Sequence, residues 1–293
     1  MQHEQASRTA LLIAASLVLL HHDAKYSRLV SKTSADLCGF VLEKHSSRTR
    51  LFSKIVRQSW FRPIAKLIER ITIPGILLHY VLRKKCISEL ARSALANGVT
   101  QVVILGAGFD PLSSELQREF RTAQFWEVDH PATQREKVRA CSDMGIEGVH
   151  FVAVDLSAAG FDRDALIRDG FDSAKPTFWI AEGLLMYFPK ETVCSLIRTL
   201  SSLSAPGSQL AFTFMEKQRD GHIRFDSQTK LVTWWLRTRG EPFLWGTTRS
   251  ELANNVSPWR VIRFYDHNDL RNMESGLSGE IIAKGEVICL AAI

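Results

Sequence analysis

Past residue 100 the chain alternates short apolar runs with helix-period segments, and this alternation restricts the available folds more than any other feature. The runs are QVVIL (101–105), QFWEV (124–128), VHFVAV (149–154), TFWIA (177–181), SQLAFTFM (208–215), RVIRFY (260–265) and the closing GEVICLAAI. They are short and rich in β-branched and aromatic residues, as buried strands are. Between them apolar residues recur at helical spacing, as in Leu112, Leu116 and Phe120, or Val193, Leu196, Ile197 and Leu200. Strands alternating with helices predict an α/β fold with a doubly wound, mostly parallel sheet of seven strands. Residues 1 to about 95 show helical periodicity instead, interrupted at Pro63 and at Ile73-Pro74-Gly75. The expected organisation is an N-terminal helical cap over residues 1–95 and a ligand-binding core over residues 96–293.

Composition excludes several classes. With 293 residues, 45% hydrophobic and 23% charged, the chain suits one large globular domain or one domain with an appendage. The run ALLIAASLVLL (10–20) is too short to span a bilayer. Its flanks lack the charge and cleavage pattern of a signal peptide, so a buried helix is expected. Five cysteines stand apart with no CxxC pair and no His/Cys cluster. That pattern argues for a reducing, cytoplasmic setting and against a metal site. Residues 1–100 hold sixteen Lys/Arg against six Asp/Glu, an excess of +10 in a chain of net +6. Two readings stand: solvated helix faces, or a basic surface that attracts an anionic partner. There is no nucleic-acid motif, and neither nucleic acid nor membrane is expected as a partner.

In doubly wound sheets, ligands gather at the carboxyl ends of the strands. The first run ends in Gly106-Ala107-Gly108-Phe109-Asp110-Pro111. A dinucleotide loop would carry a third glycine where Pro111 stands. Asp110 followed by Pro111 reads as a helix N-cap and first helical residue. A carboxylate there opposes a pyrophosphate, so the loop suits a nucleoside without phosphates better than NAD. Asp129 follows the second run, about twenty residues past the glycines, where a carboxylate accepts hydrogen bonds from a ribose diol. Asp155 follows the third, where a carboxylate can accept from an adenine amino group beside the backbone N–H of Leu156. Glu182 follows the fourth. Any one of these acids could be a cap or a solvated loop residue; four at successive strand ends describe a site.

Together LGAGFD, EVDHP, DLS and AEGLLMYF resemble the motifs of class I S-adenosylmethionine-dependent methyltransferases of the leucine carboxyl methyltransferase family, most closely its bacterial branch of small-molecule O-methyltransferases. SRTALLIAA, PGILLHYVLRKKCISEL and GEPFLWG have counterparts there too, so the resemblance covers most of the chain. It implies a Rossmann-like fold and S-adenosyl-L-methionine as cofactor. It also implies that Gly106, Gly108 and Asp110 form the loop under the methionyl part, that Asp129 holds the ribose, and that Asp155 and Leu156 hold the adenine. Glu182 would line the methionyl end and Arg83 would pair with the cofactor carboxylate, although Arg83 also reads as a plain surface residue beside Lys84 and Lys85. Tyr187 stands where the family has an aromatic beside the active site. The chain departs from the family pattern at Asp110-Pro111-Leu112 and at Ser88, which implies weaker cofactor binding.

Methyl transfer from a sulfonium asks mainly for alignment and exclusion of water. A carboxylate acceptor needs no base, whereas a hydroxyl usually does; His130 and His222 are the candidates. The expected activity is O-methylation of a small-molecule acceptor, acidic if the basic excess acts on it. A protein carboxyl methyltransferase is the second reading, and a nicotinamide oxidoreductase or a non-catalytic nucleoside-binding module the third. The basic N-terminal helices are expected to act as a lid.

Overall fold

The computed structural model describes residues 7–157, 161, 163–238 and 240–293. Five helices come first: α1 (Arg8–His21), α2 (Lys32–His45), α3 (Ser47–Val56), α4 (Phe61–Thr72) and α5 (Ile76–Ala96). The alternating part follows with β1 (Gln101–Leu105), α6 (Leu112–Glu119), β2 (Gln124–Asp129), α7 (Pro131–Asp143), β3 (His150–Ala153), α8 (Arg163–Arg168), β4 (Thr177–Ala181), α9 (Lys190–Ser202) and β5 (Gln209–Glu216). The remainder holds α10 (Lys230–Thr238), β6 (Gly246–Thr247), α11 (Arg249–Val256), β7 (Arg260–Tyr265), α12 (His267–Asn272) and β8 (Glu286–Ala292).

The sheet order is β3-β2-β1-β4-β5-β8-β7. The first five strands are parallel, and β8 runs antiparallel to both β5 and β7. All seven anticipated strands form this path. The two-residue β6, which pairs with β5 off the path, was not anticipated, being too short to carry a period. Winding reverses between β1 and β4, so the loops after these strands open a crevice at their carboxyl ends.

Alternation along the strands divides the core in two. Val102, Ile104, Phe125, Phe178 and Ile180 face one layer, shared with α1, α2, α5, α6 and α7. Val103, Leu105, Trp126, Trp179 and Phe212 face the other, shared with α8, α9 and α11. The N-terminal helices thus share a core with one face of the sheet. The apolar run 10–20 is the middle of α1, and Leu17, Val18 and Leu20 are buried there.

Pro63 does not interrupt a helix. It lies in the first turn of α4, where its missing N–H costs no intrahelical bond. The other break holds: Gly75 takes φ +80, and an added Cβ would lie 2.5 Å from the Ile281 carbonyl oxygen. The chain turns there from α4 into α5.

The charge asymmetry is largely resolved by pairing between distant segments. Lys25 pairs with Glu280, Arg28 and Lys85 with Glu274, and Arg92 with Glu119. What remains for solvent is concentrated on α3 and α4, including Lys66 and Arg70.

Candidate active site

β1 ends in the loop that carries Gly106 and Gly108, with φ +63 and +53, a region that only glycine enters without strain. A Cβ on Gly106 would meet Leu184 at 2.6 Å. The Gly108 N–H donates to Asp129 Oδ2 at 2.5 Å, and the His130 N–H to Asp129 Oδ1 at 2.6 Å. The carboxylate at the end of β2 is thereby fixed against the glycine loop, and burial raises its pKa. Asp110 is not the N-cap expected from sequence: α6 begins at Leu112 with Pro111 at the N-cap, and Asp110 Oδ1, one residue earlier, accepts the Leu112 N–H at 3.1 Å in the turn that leads into the helix. Asp155 Oδ1 accepts the Ser157 N–H at 2.9 Å, which sets the turn beyond β3.

Glu182, just past β4, meets α5 across the crevice. Arg83 donates Nε to Glu182 at 2.8 Å and Nη1 to both oxygens of Glu286 at 2.9 and 2.7 Å. Only 3% exposed, Arg83 is a core residue and not a surface one. His79, one turn earlier on α5, meets Glu286 at 2.8 Å. Lys84 lies 3.2 Å from Glu182 and also pairs with Asp110. Burial opposes ionisation of Glu286, but Arg83 and His79 outweigh it and hold the carboxyl at about 2. Burial likewise opposes ionisation of Asp110, and Lys84 reverses the direction.

Except for His79 and Glu286, which lie behind Arg83, these groups line one cleft together with α1. Of the site residues expected from sequence, Gly106, Gly108, Asp110, Asp129, Asp155, Leu156, Glu182, Arg83, His130 and Tyr187 border it. Thr9, Ala10, Ile13, Ala14 and Leu17 of α1 close its other side. His222 lies outside, in the turn after β5, where its N–H bonds Asp220 at 3.0 Å. His130 is the N-cap of α7, and its Nδ1 accepts the Ala132 N–H at 3.2 Å. That bond uses the Nδ1 lone pair and leaves the proton on Nε2. Burial raises the Tyr187 hydroxyl well above its ordinary range, so it stays protonated at neutral pH.

Sequence reasoning missed Lys84, His79, Glu286 and Glu241. Glu241, in GEPFLWG, accepts from the backbone N–H of Arg8 at 3.2 Å and of Thr9 at 3.1 Å. It anchors the start of α1 over the cleft. In the same stretch Leu244 N–H bonds the Met186 carbonyl at 2.7 Å, and the Phe243 ring lies 5.8 Å from that of Tyr187. One signal for Glu286 was available: it is the only acid in an otherwise apolar closing strand.

A parallel doubly wound sheet ended by an antiparallel strand pair, with acids at the ends of β1 to β4, is the architecture of class I S-adenosylmethionine-dependent methyltransferases. A solved structure from Thermobifida fusca, assigned as a methyltransferase, superposes with a TM-score of 0.58 at 14% identity, over 99% of this chain and 96% of its own. In sequence, a protein of Mycolicibacterium smegmatis assigned as an S-adenosyl-L-methionine-dependent methyltransferase is 40% identical over 163 residues, 54% of this chain and 52% of that protein. Another of the same assignment from Mycobacterium bovis is 34% identical over 196 residues, 61% of each. The match thus spans only about half to three fifths of these relatives. The sequence model of the leucine carboxyl methyltransferase family matches residues 5–201, and the chain belongs to that family. Glu241 and Glu286 lie beyond the matched segment.

Proposed function

We propose that the protein is an S-adenosylmethionine-dependent O-methyltransferase of a small-molecule acceptor. The observation that carries this reading is the convergence of Asp110, Asp129, Asp155 and Glu182 on one cleft around the Gly106–Gly108 loop. Against these four carboxylates the cleft sets two cations, Arg83 and Lys84. An acid-rich lining suits a sulfonium and an ammonium and repels a pyrophosphate. The cofactor, when bound, supplies an activated methyl group.

The residues divide the work. Asp129, already oriented by two backbone N–H groups, has lone pairs left for a ribose diol. Asp155 and Leu156 stand at the neighbouring strand end for adenine. Arg83 spends Nε on Glu182 and Nη1 on Glu286, and its Nη2, beside Gly183 at the cleft, carries the donors a cofactor carboxylate would meet. Thr9 to Leu17 of α1 exclude water, as lids do.

A carboxylate acceptor is favoured over a hydroxyl. Tyr187 stays protonated, and His130 spends Nδ1 on its cap. A carboxylate with a reference pKa of ~4 needs neither as base. Thermal-shift titration tests the reading. S-adenosylhomocysteine should raise the melting temperature and NAD should not; stabilisation by NAD alone overturns it.

A further inference from the structure

Exposed apolar side chains are not spread evenly over the molecule. Of the sixteen large ones that stand exposed among the described residues, nine belong to α3, α4, α10 and the turn at Trp60. Leu51, Trp60, Leu67, Ile71, Leu231 and Trp234 are each 58% to 62% exposed. The three helices are neighbours. The Phe52 and Phe61 rings meet edge-on at 6.1 Å, and the Thr229 N–H just ahead of α10 donates to the Thr72 carbonyl at the end of α4 at 3.3 Å. Together with α1 and the start of α5 they wall an apolar cavity of about 420 Å³. Helix α1 is the partition from the cleft: Ala10, Ile13 and Leu17 face the cleft, while Leu12, Ala15 and Leu19 face the cavity. Helix α4 buries none of its residues, and its Ile64, Leu67 and Ile71, at helical spacing, form a stripe toward solvent. A contiguous exposed face of this kind marks an interaction surface.

The charge on the same helices is one-sided. They hold eight Lys/Arg against one acid, Glu69, which is half-buried and accepts the Leu77 N–H at 2.9 Å. Three of the cations are engaged: Arg50 bonds the Glu43 carbonyl, Arg62 bonds the His22 carbonyl, and Lys66 lies over the Tyr26 ring. The other five, Arg48, Lys54, Arg70, Lys230 and Arg237, are exposed and form no ion pair among the described residues. Each stands beside the apolar face and not opposite it. Arg48 and Lys54 lie three residues either side of Leu51, Arg70 three after Leu67, and Lys230 and Arg237 four before and three after Trp234. Residues three or four apart are neighbours on a helix surface.

We propose that the face formed by α3, α4 and α10 docks on the surface of an anionic phospholipid bilayer, with Leu67, Ile71 and Trp234 among the acyl chains and the five cations against the lipid phosphates. Docking does not depend on the reaction in the cleft. Helices that lie on a bilayer combine an apolar stripe with Lys and Arg, and Trp is enriched at that depth. Long basic side chains lay their stems on apolar surface and keep the charge at headgroup level. A second copy of this chain fits less well, because the same face on both copies would set cations against cations. Attachment is to the surface, since no described helix is long and apolar enough to cross a membrane. It departs from the expectation, drawn from sequence, that no membrane is engaged; no single helix shows that three share one face. In this pose the cavity opens toward the acyl chains, through Ile68 and Leu231 at its exposed rim.

Flotation of the full chain with lipid vesicles tests this, using phosphatidylcholine alone and phosphatidylcholine with about one third phosphatidylglycerol. The protein should float with the anionic vesicles, bind the neutral ones roughly tenfold more weakly or worse, and detach as ionic strength rises. Arg70→Ala and Lys230→Ala should each weaken binding about fivefold. The double variant Leu67→Ser/Ile71→Ser should weaken it about tenfold or more, with little change in melting temperature. The proposal is overturned if the wild type stays in the aqueous fraction with both kinds of vesicle, if it binds both equally, or if all three variants float as it does. It is also overturned if light scattering shows a dimer that the double variant breaks, which would assign the face to a second copy.

Discussion

The start and the middle of α5 solve opposite problems. Toward its middle, His79, Arg83 and Lys84 are locked to Asp110, Glu182 and Glu286 in a buried network. At its start, Ile76, Leu77 and Tyr80 border an apolar space whose other walls are partly exposed. The first arrangement is directional: each charge is stable only while its partners hold position, because a buried ion without its counter-ion is strongly destabilising. The second is non-directional, since burial of apolar area tolerates changes of shape. The difference teaches that one helix can hold a rigid ion network on one stretch and border an adaptable apolar space on another.

This contrast can be broken most forcefully at Arg83. Arg83→Ala leaves Glu182 and Glu286 without their main partner and should lower unfolding free energy by about 3–5 kcal/mol, read from urea unfolding. Where the variant stays folded, S-adenosylmethionine should lose more affinity than methylthioadenosine, which lacks the amino-acid carboxylate. Equal losses would remove Arg83 from the cofactor site and leave it purely structural.

Acid should act on the same network. The Glu286 carboxyl, ordinarily near 4.5, is depressed to about 2. A depressed carboxylate contributes stability that is complete above its unfolded value and is lost as pH falls through the folded one. Urea midpoints should therefore drop between pH 4.5 and about 2, and more gently in Glu286→Gln. Identical acid limbs in both proteins would show that Glu286 does not govern this end of the helix.

Asp129→Ala is smaller and more selective. It should weaken S-adenosylhomocysteine by about 1–3 kcal/mol in calorimetry, as expected for lost hydrogen bonds to a charged group. Melting should change less than for Arg83→Ala, because the Gly108 and His130 N–H groups that Asp129 satisfies border the open cleft. The smallest effect belongs to the apolar end. Leu67→Ser, on the 59% exposed face of α4, should shift stability by no more than about 0.5 kcal/mol. A larger loss would mean that α4 is covered in solution.

Local patterns made part of this legible in advance. The strands were legible as short apolar runs rich in β-branched and aromatic residues, and the sheet divides each run between its two faces, as Val102 and Val103 show. Asp129 was separable from Glu127, two residues earlier, only by its place at the strand end. Glu127 is fully buried beneath Lys137 and Ser113 and serves the core. Pro63 misled because a proline signals a helix boundary without saying on which side of it the helix lies.

The sequence by itself determined the α/β alternation, the glycine loop and the set of strand-end acids, because these depend on backbone conformation and side-chain period over a few residues. Tertiary structure alone decided that Arg83 meets Glu286 203 positions away, that Glu241 anchors α1, and that α1 separates a charged cleft from an apolar cavity. Ion pairs and cavities of this kind depend on which distant surfaces the sheet order brings together, and no local periodicity encodes that distance.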